Sequence, residues 1–122
     1  MKKLFISCPM RGRTDETIRE SIERMHRIAE AVFGEELEII PSYIGDAAPQ
    51  SAHESVWYLG ESIKMMAEAD YFIGIYDPER AFNGCIIENH VASLYKIPCY
   101  LVNLNYVAPD VTDGRAVAKM RY

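Results

Sequence analysis

Long apolar runs are missing from this chain. No stretch approaches the roughly 20 apolar residues that a membrane-spanning helix requires, so no membrane partner is expected. Basic charge is also in deficit. Lys and Arg number 13 against 18 Asp and Glu, a net charge of −5. That balance argues against a nucleic-acid polymer or an anionic membrane surface as a partner held by charge. Cysteine is sparse: Cys8, Cys85 and Cys99 are odd in number and fall in no metal-ligand spacing. Free thiols of this kind suit the cytoplasm, where packing is their ordinary task. His26, His53 and His90 belong to no His/Asp/Glu cluster with metal spacing, so no metal site is expected. No Gly-x-Gly-x-x-Gly follows the first apolar segment, which makes a dinucleotide site, and any cofactor of that type, unexpected. Repeats, low-complexity segments and an internal boundary are absent, so residues 1–122 read as one domain.

What is present is an alternation of strand and helix signals. Lys3 to Ser7 reads as a first strand. The run is too short for a signal peptide, and Pro9 and Arg11 interrupt it. Residues 8–13 form a turn, because Pro9 and Gly12 both break regular structure. Thr14 or Asp15 then caps a helix whose inward face is Ile18, Ile22, Met25, Ala29 and Val32, spaced by four and three. Gly34 ends it, and Leu37 to Pro41 is a second strand. After a loop over Tyr43 to Gln50, Ser51-Ala52-His53-Glu54 fits a capping box. A helix follows to about Ala69, with Val56, Leu59, Ile63, Met66 and Ala67 inward.

The most informative stretch runs from Glu68 to Asn103. Tyr71 to Tyr76 is a buried-strand pattern behind Asp70, and Asp70 reads as an anchor of that strand. Asn83-Gly84 breaks the chain, and Ile86, Ile87, Val91 and Leu94 resume at helical spacing until about Lys96. Cys99 to Leu104 is the last strand, and the polar remainder to Tyr122 is a short helix or an arm. Four strands alternating with three helices predict a small α/β domain: a doubly wound parallel sheet, flavodoxin-like or Rossmann-like, with helices on both faces.

Such sheets bind ligands at the carboxyl ends of their strands. Glu88, expected in the first turn of its helix and near that edge, is the leading candidate for chemistry. Helix amides and dipole there favour the ionised carboxylate, and an ionised carboxylate in a crevice is able to attack an anomeric carbon. The plainer reading is a charge that stabilises the helix. The turn after the first strand is the second candidate. Gly12 permits close backbone approach, and Arg11 and Arg13 suit a forked contact to phosphate; the plainer reading is a solvated basic turn. Cys85 lies beside Glu88 without an obvious histidine partner, and His26 and His53 read as surface residues. Tyr43, Trp57, Tyr58 and Phe82 are aromatic groups of the kind that stack on a nucleobase or simply pack.

Two motifs now carry a resemblance. The first is Leu4-Phe5-Ile6-Ser7-Cys8-Pro9-Met10-Arg11-Gly12. The second is Ala69-Asp70, an apolar strand, then Asn83-Gly84-Cys85-x-x-Glu88-x-x-x-Ala92. In this order the chain resembles the nucleoside 2-deoxyribosyltransferase superfamily over about residues 1–104, most closely a bacterial and phage-borne branch near the nucleoside 5′-monophosphate N-glycosidases. The resemblance implies cleavage or transfer at the N-glycosidic bond, with Glu88 as nucleophile and a glycosyl-enzyme intermediate. It implies that Ser7, Met10, Arg11, Gly12 and Arg13 line the substrate site, Arg11 as the phosphate contact, together with Ser62, Asn83 and Gly84. It also implies a nucleoside or nucleotide as small-molecule partner and a homo-oligomer. Two positions depart from the family pattern. Ser62 stands where the family usually has Asp, with Glu61 beside it, and Phe5 stands where the transferases have a tyrosine that orients the glutamate. These departures keep a second reading open, a non-catalytic nucleotide-binding or sensing module on the same fold. A third is a structural or interaction protein that keeps only the fold.

Overall fold

The structure is a computed structural model that describes residues 1–10, 13–41, 50, 53–77, 82–103 and 107. Arg11, Gly12, Tyr43, Ser51, Ala52, Leu104 and all positions beyond 107 lie outside the described residues, and so do the expectations placed on them. The elements are β1 (Lys2–Ile6), α1 (Asp15–Phe33), β2 (Leu37–Ile39), α2 (Glu54–Met66), β3 (Tyr71–Tyr76), α3 (Asn83–Leu94) and β4 (Cys99–Asn103). This is the expected order. The boundaries differ by a few residues, most at α2, which ends at Met66 rather than Ala69.

All strands pair in parallel, in the order β2-β1-β3-β4. The expected small doubly wound α/β domain is therefore what forms, with a sheet of flavodoxin-like order. The two-residue period of the strands sorts their side chains between two cores. Leu4, Ile6, Ile73, Ile75 and Val102 meet Met25 and Ala29 of α1 on one face. Phe5 and Phe72 meet Met66 of α2 and Ala92 of α3 on the other. Connections leave β1 toward β2 and return past it to β3. The carboxyl ends of β1 and β3 therefore border the point where the winding reverses, the usual crevice of such sheets.

Local chemistry explains the helix ends. Thr14 caps α1, its hydroxyl accepting from the Thr17 amide at 3.2 Å, and Asp15 and Glu16 suit the positive end of the helix dipole. Gly34 closes α1 in the left-handed region at φ 76°, its N–H donating to the Glu30 carbonyl. A Cβ at Gly34 would meet nothing within 4 Å, so backbone strain alone sets the cost of a side chain there. Gly34→Ala is expected to lose about 1 kcal/mol of stability, read as a shifted urea midpoint with unchanged slope. An unshifted midpoint would refute the cap. His53 directly precedes α2 and makes no side-chain capping bond; the expected capping box rests on Ser51, which lies outside the described residues. Asp70 anchors β3 as expected: its carboxylate accepts from the Lys3 amide at 2.8 Å, and its own amide donates to the Lys3 carbonyl.

Several inward assignments need correction. Val32 of α1 is 44% exposed; Phe33 turns in instead and stacks on Tyr71 with ring centroids 4.3 Å apart. Val56 of α2 and Ala67, just past its end, face solvent, and Met66 is the one buried residue of that helix. On α3, Ile86, Ile87 and Leu94 are exposed, while Cys85, Glu88 and Ala92 are buried. Their spacing of three and four makes one stripe facing the sheet. Of the residues whose spacing announced α3, Val91 packs against the core and the other three face outward, because the inward stripe carries a glutamate. His26 is not a plain surface residue either: its Nε2 sits 2.7 Å from the Leu37 carbonyl and 3.2 Å from Glu30. Val107, in the polar remainder of the chain, is buried in the α1-side core.

Candidate active site

Ser7 is the first residue past β1. Its amide continues the β1–β3 ladder by donating to the Ile73 carbonyl at 2.9 Å. Strand alternation then directs its side chain to the same face as Phe5, toward α2 and α3. The Ser7 hydroxyl donates to Glu88 Oε1 at 2.6 Å. Ser62 of α2 closes the other side, its hydroxyl donating to Glu88 Oε2. Both carboxylate oxygens are therefore held by hydroxyl groups from two further elements, at the crevice beside β1 and β3. Three of the residues singled out in the sequence meet here.

Glu88 lies in the second turn of α3, not the first, because Asn83 and Gly84 begin the helix rather than break the chain before it. Its amide is already within the helix, so the favourable effect of free N-terminal amides is weaker than its sequence position suggested. Burial dominates instead. It pushes the Glu88 carboxyl above the usual value of 4.5, while hydrogen bonds from Ser62 and then Ser7 oppose that rise. The expected bias toward the ionised form is thus reversed.

Cys85, one turn before Glu88, is buried beside the same group. Burial pushes its thiol up to about 12; a hydrogen bond with Ser7 opposes this, and the charges of Glu88 and Cys8 add to it. At pH 8 only about one such thiol in 10⁴ is ionised. Cys85 is therefore no nucleophile, and iodoacetamide at pH 8 is expected to leave it unmodified in the native protein. Peptide mass mapping before and after urea would check this. Rapid native labelling would contradict the burial.

Comparison with protein-family models, curated proteins and solved structures finds no match for this chain.

The remaining sequence candidates divide. Met10 is exposed on the turn after β1. Arg13 is drawn back onto the chain itself, its guanidinium donating to the Pro9 carbonyl at 2.8 Å, the Thr17 carbonyl at 3.0 Å and the Ser21 hydroxyl. It fastens the turn to α1 in this arrangement. Asn83 and Gly84 are exposed at the start of α3, and a Cβ at Gly84 would meet open space. Glu61, beside Ser62, is paired with Lys64 at 2.8 Å. Phe5 has no hydroxyl to offer Glu88; its ring stacks on Phe72 instead. Trp57 packs edge-on against Tyr58.

Period-two alternation from Phe5 places Ser7 on the face toward α2 and α3, but nothing in the sequence spacing pairs it with Glu88. A concavity of ≈160 Å³ lies on the far side of Cys85, lined by Tyr76, Phe82, Ile86, Asn89 and Leu101 among others. It shares Cys85 with the serine-held carboxylate but not Glu88 itself. No helix among the described residues is long and apolar enough to cross a membrane.

Proposed function

We propose that this chain cleaves or transfers at the N-glycosidic bond of a nucleoside, deoxynucleoside or nucleoside 5′-monophosphate, with Glu88 as the nucleophile. The observation that carries this reading is a buried carboxylate at the winding reversal of the sheet, held at both oxygens by Ser7 and Ser62. Oriented carboxylates of this kind suit attack on an anomeric carbon. A Glu88 oxygen forms a bond to C1′ as the bond from C1′ to the base nitrogen breaks. The base leaves with that electron pair and takes a proton from water. Water or a second base then attacks C1′ and releases the carboxylate. No metal or cofactor takes part in this reading.

The experiment is base release from a panel of deoxynucleosides, ribonucleosides and their 5′-monophosphates, with and without an acceptor base. Products are separated by chromatography beside a Glu88→Ala control. Release that is equal in the control overturns the reading.

The second reading is a nucleotide-binding or sensing module without turnover. It is favoured by the raised Glu88 carboxyl, because burial extends upward the pH range in which the group is neutral and no nucleophile. It is also favoured by Ser62 and Phe5, neither of which supplies the group that the resembled family uses. In that case nucleotides raise the melting temperature as mass action requires, while the release panel stays silent.

The free thiols suit a cytoplasmic protein, and the resemblance points to a homo-oligomer. Exposed Val56, Ile86 and Leu94 on α2 and α3 support the oligomer. Sedimentation of a purely monomeric species at micromolar concentration would count against it.

A further inference from the structure

The two hydroxyls that hold Glu88 are not equivalent. Ser7 is 2% exposed, and its amide is tied to β3 through the Ile73 carbonyl. Its backbone is fixed at the end of the β1–β3 ladder, and its bond to Oε1 is closed off from solvent. Ser62 is only half-buried. It belongs to a helix whose one buried residue is Met66, and whose first turn has no side-chain cap. The Ser7 bond is buried, whereas the Ser62 bond is partly open to solvent. Oε2 is therefore the oxygen that an incoming ligand meets.

We propose that Ser7 and Ser62 are positioning residues with separate tasks: Ser7 keeps Oε1 in place through the reaction, and Ser62 covers Oε2 until a sugar hydroxyl draws it away. The proposal rests on Glu88 being the nucleophile and adds which oxygen reacts. When Oε2 becomes bonded to C1′ it turns into an ester oxygen, a poor acceptor. A donor left on it would stabilise the ground state more than the transition state and slow the step. Oε1 becomes the ester carbonyl oxygen and remains a good acceptor, so the Ser7 bond survives the whole reaction. Ser62, freed from Oε2, donates to the oxygen of the sugar hydroxyl that displaced it. No proton is transferred in this exchange of partners. The ionisable neighbour of the carboxylate on its own helix is Cys85; on the α2 side, Glu61 is engaged by Lys64.

The test has two arms. In the first, protein labelled with ¹³C at the glutamate carboxyls is titrated by NMR without ligand. Ser7→Ala and Ser62→Ala each remove a donor to the ionised form, so each is expected to raise the Glu88 midpoint. A midpoint unmoved in either variant overturns the clamp, whatever the protein's activity. In the second, kinetics are measured on whichever panel substrate turns over. Ser7→Ala is expected to lower kcat about 10–100-fold with a smaller change in KM. Ser62→Ala is expected to raise KM about tenfold with a smaller change in kcat, and Ser62→Thr, which restores the hydroxyl, to recover it. The reverse split, or the same kcat loss in both alanine variants, overturns the separate tasks. A panel silent for the unaltered protein overturns them together with the nucleophile reading, while the titration still decides whether the clamp exists.

Discussion

Glu88→Gln is expected to lose at least about 10³-fold in kcat/KM for base release, equivalent to about 4 kcal/mol of transition-state stabilisation, while becoming more stable to heat at neutral pH. The first effect follows from removing the nucleophilic oxygen, the second from burial of the carboxyl. Burial raises the folded-state Glu88 carboxyl above its usual range, so the unfolded chain gives up this proton first as pH rises. Between the unfolded and folded values the native state binds more protons than the unfolded state, and stability falls with pH. Above that window the ionised, buried carboxylate remains a cost to the fold. Glutamine never ionises and escapes it. The gain in melting temperature is therefore expected at pH 7–8 and should shrink as pH falls into the ordinary carboxylate range. Calorimetry across pH checks the sign. For the same reason the acidic limb of kcat/KM should lie above the usual glutamate value. A variant that kept its activity, or that was less stable than the parent at pH 8, would contradict this account of the site.

Phe72→Ala is expected to cost about 3–5 kcal/mol. Phe72 is fully buried in the core beneath α2 and α3, its ring parallel to Phe5 at 5.8 Å and 7°. Gly74 leaves the space that this ring occupies: a Cβ there would lie 2.7 Å from Phe72 Cε1. A cavity at Phe72 therefore opens between the Gly74 backbone and the Phe5 ring. A melting temperature lower by roughly 10–20 °C follows for a chain of this size. In a double-mutant cycle with Phe5→Ala the losses should be non-additive, because the pair contributes about 0.5–1.5 kcal/mol beyond the area it buries. A loss under about 1 kcal/mol for Phe72→Ala would mean the two rings do not form the centre of that core.

Much of the fold was legible because strand and helix signals are local. Tyr71–Tyr76 was bounded correctly by its apolar run, and Thr14 and Gly34 announced both ends of α1. The inward faces were less legible wherever hydrophobicity and burial parted. Ile86, Ile87 and Leu94 outweigh the rest of α3 in apolar character, yet they face outward. The Cys85–Glu88–Ala92 stripe faces in, and only a bonding partner for Glu88 makes that orientation affordable. Conflict of this kind between local pattern and global packing is expected at a functional site. Arg13 shows the same limit in reverse. A basic residue after the first strand suits an anion, but nothing in its spacing reveals that the carbonyls of Pro9 and Thr17 are within reach.

By itself the sequence determined the order of elements, and with it a parallel sheet, since each strand is separated from the next by a helix that crosses a face. It also singled out Glu88, Ser7 and Ser62 as separate candidates. That they form one site was decided only by tertiary structure. Ser7 and Glu88 lie 81 residues apart and Ser62 and Glu88 26 apart, and their contact exists because β1 and β3 are neighbours while α2 and α3 share a face. The upward shift of the Glu88 carboxyl was likewise decided there. Helix position favours its charge, burial opposes it, and how deeply the stripe is buried depends on what packs over it.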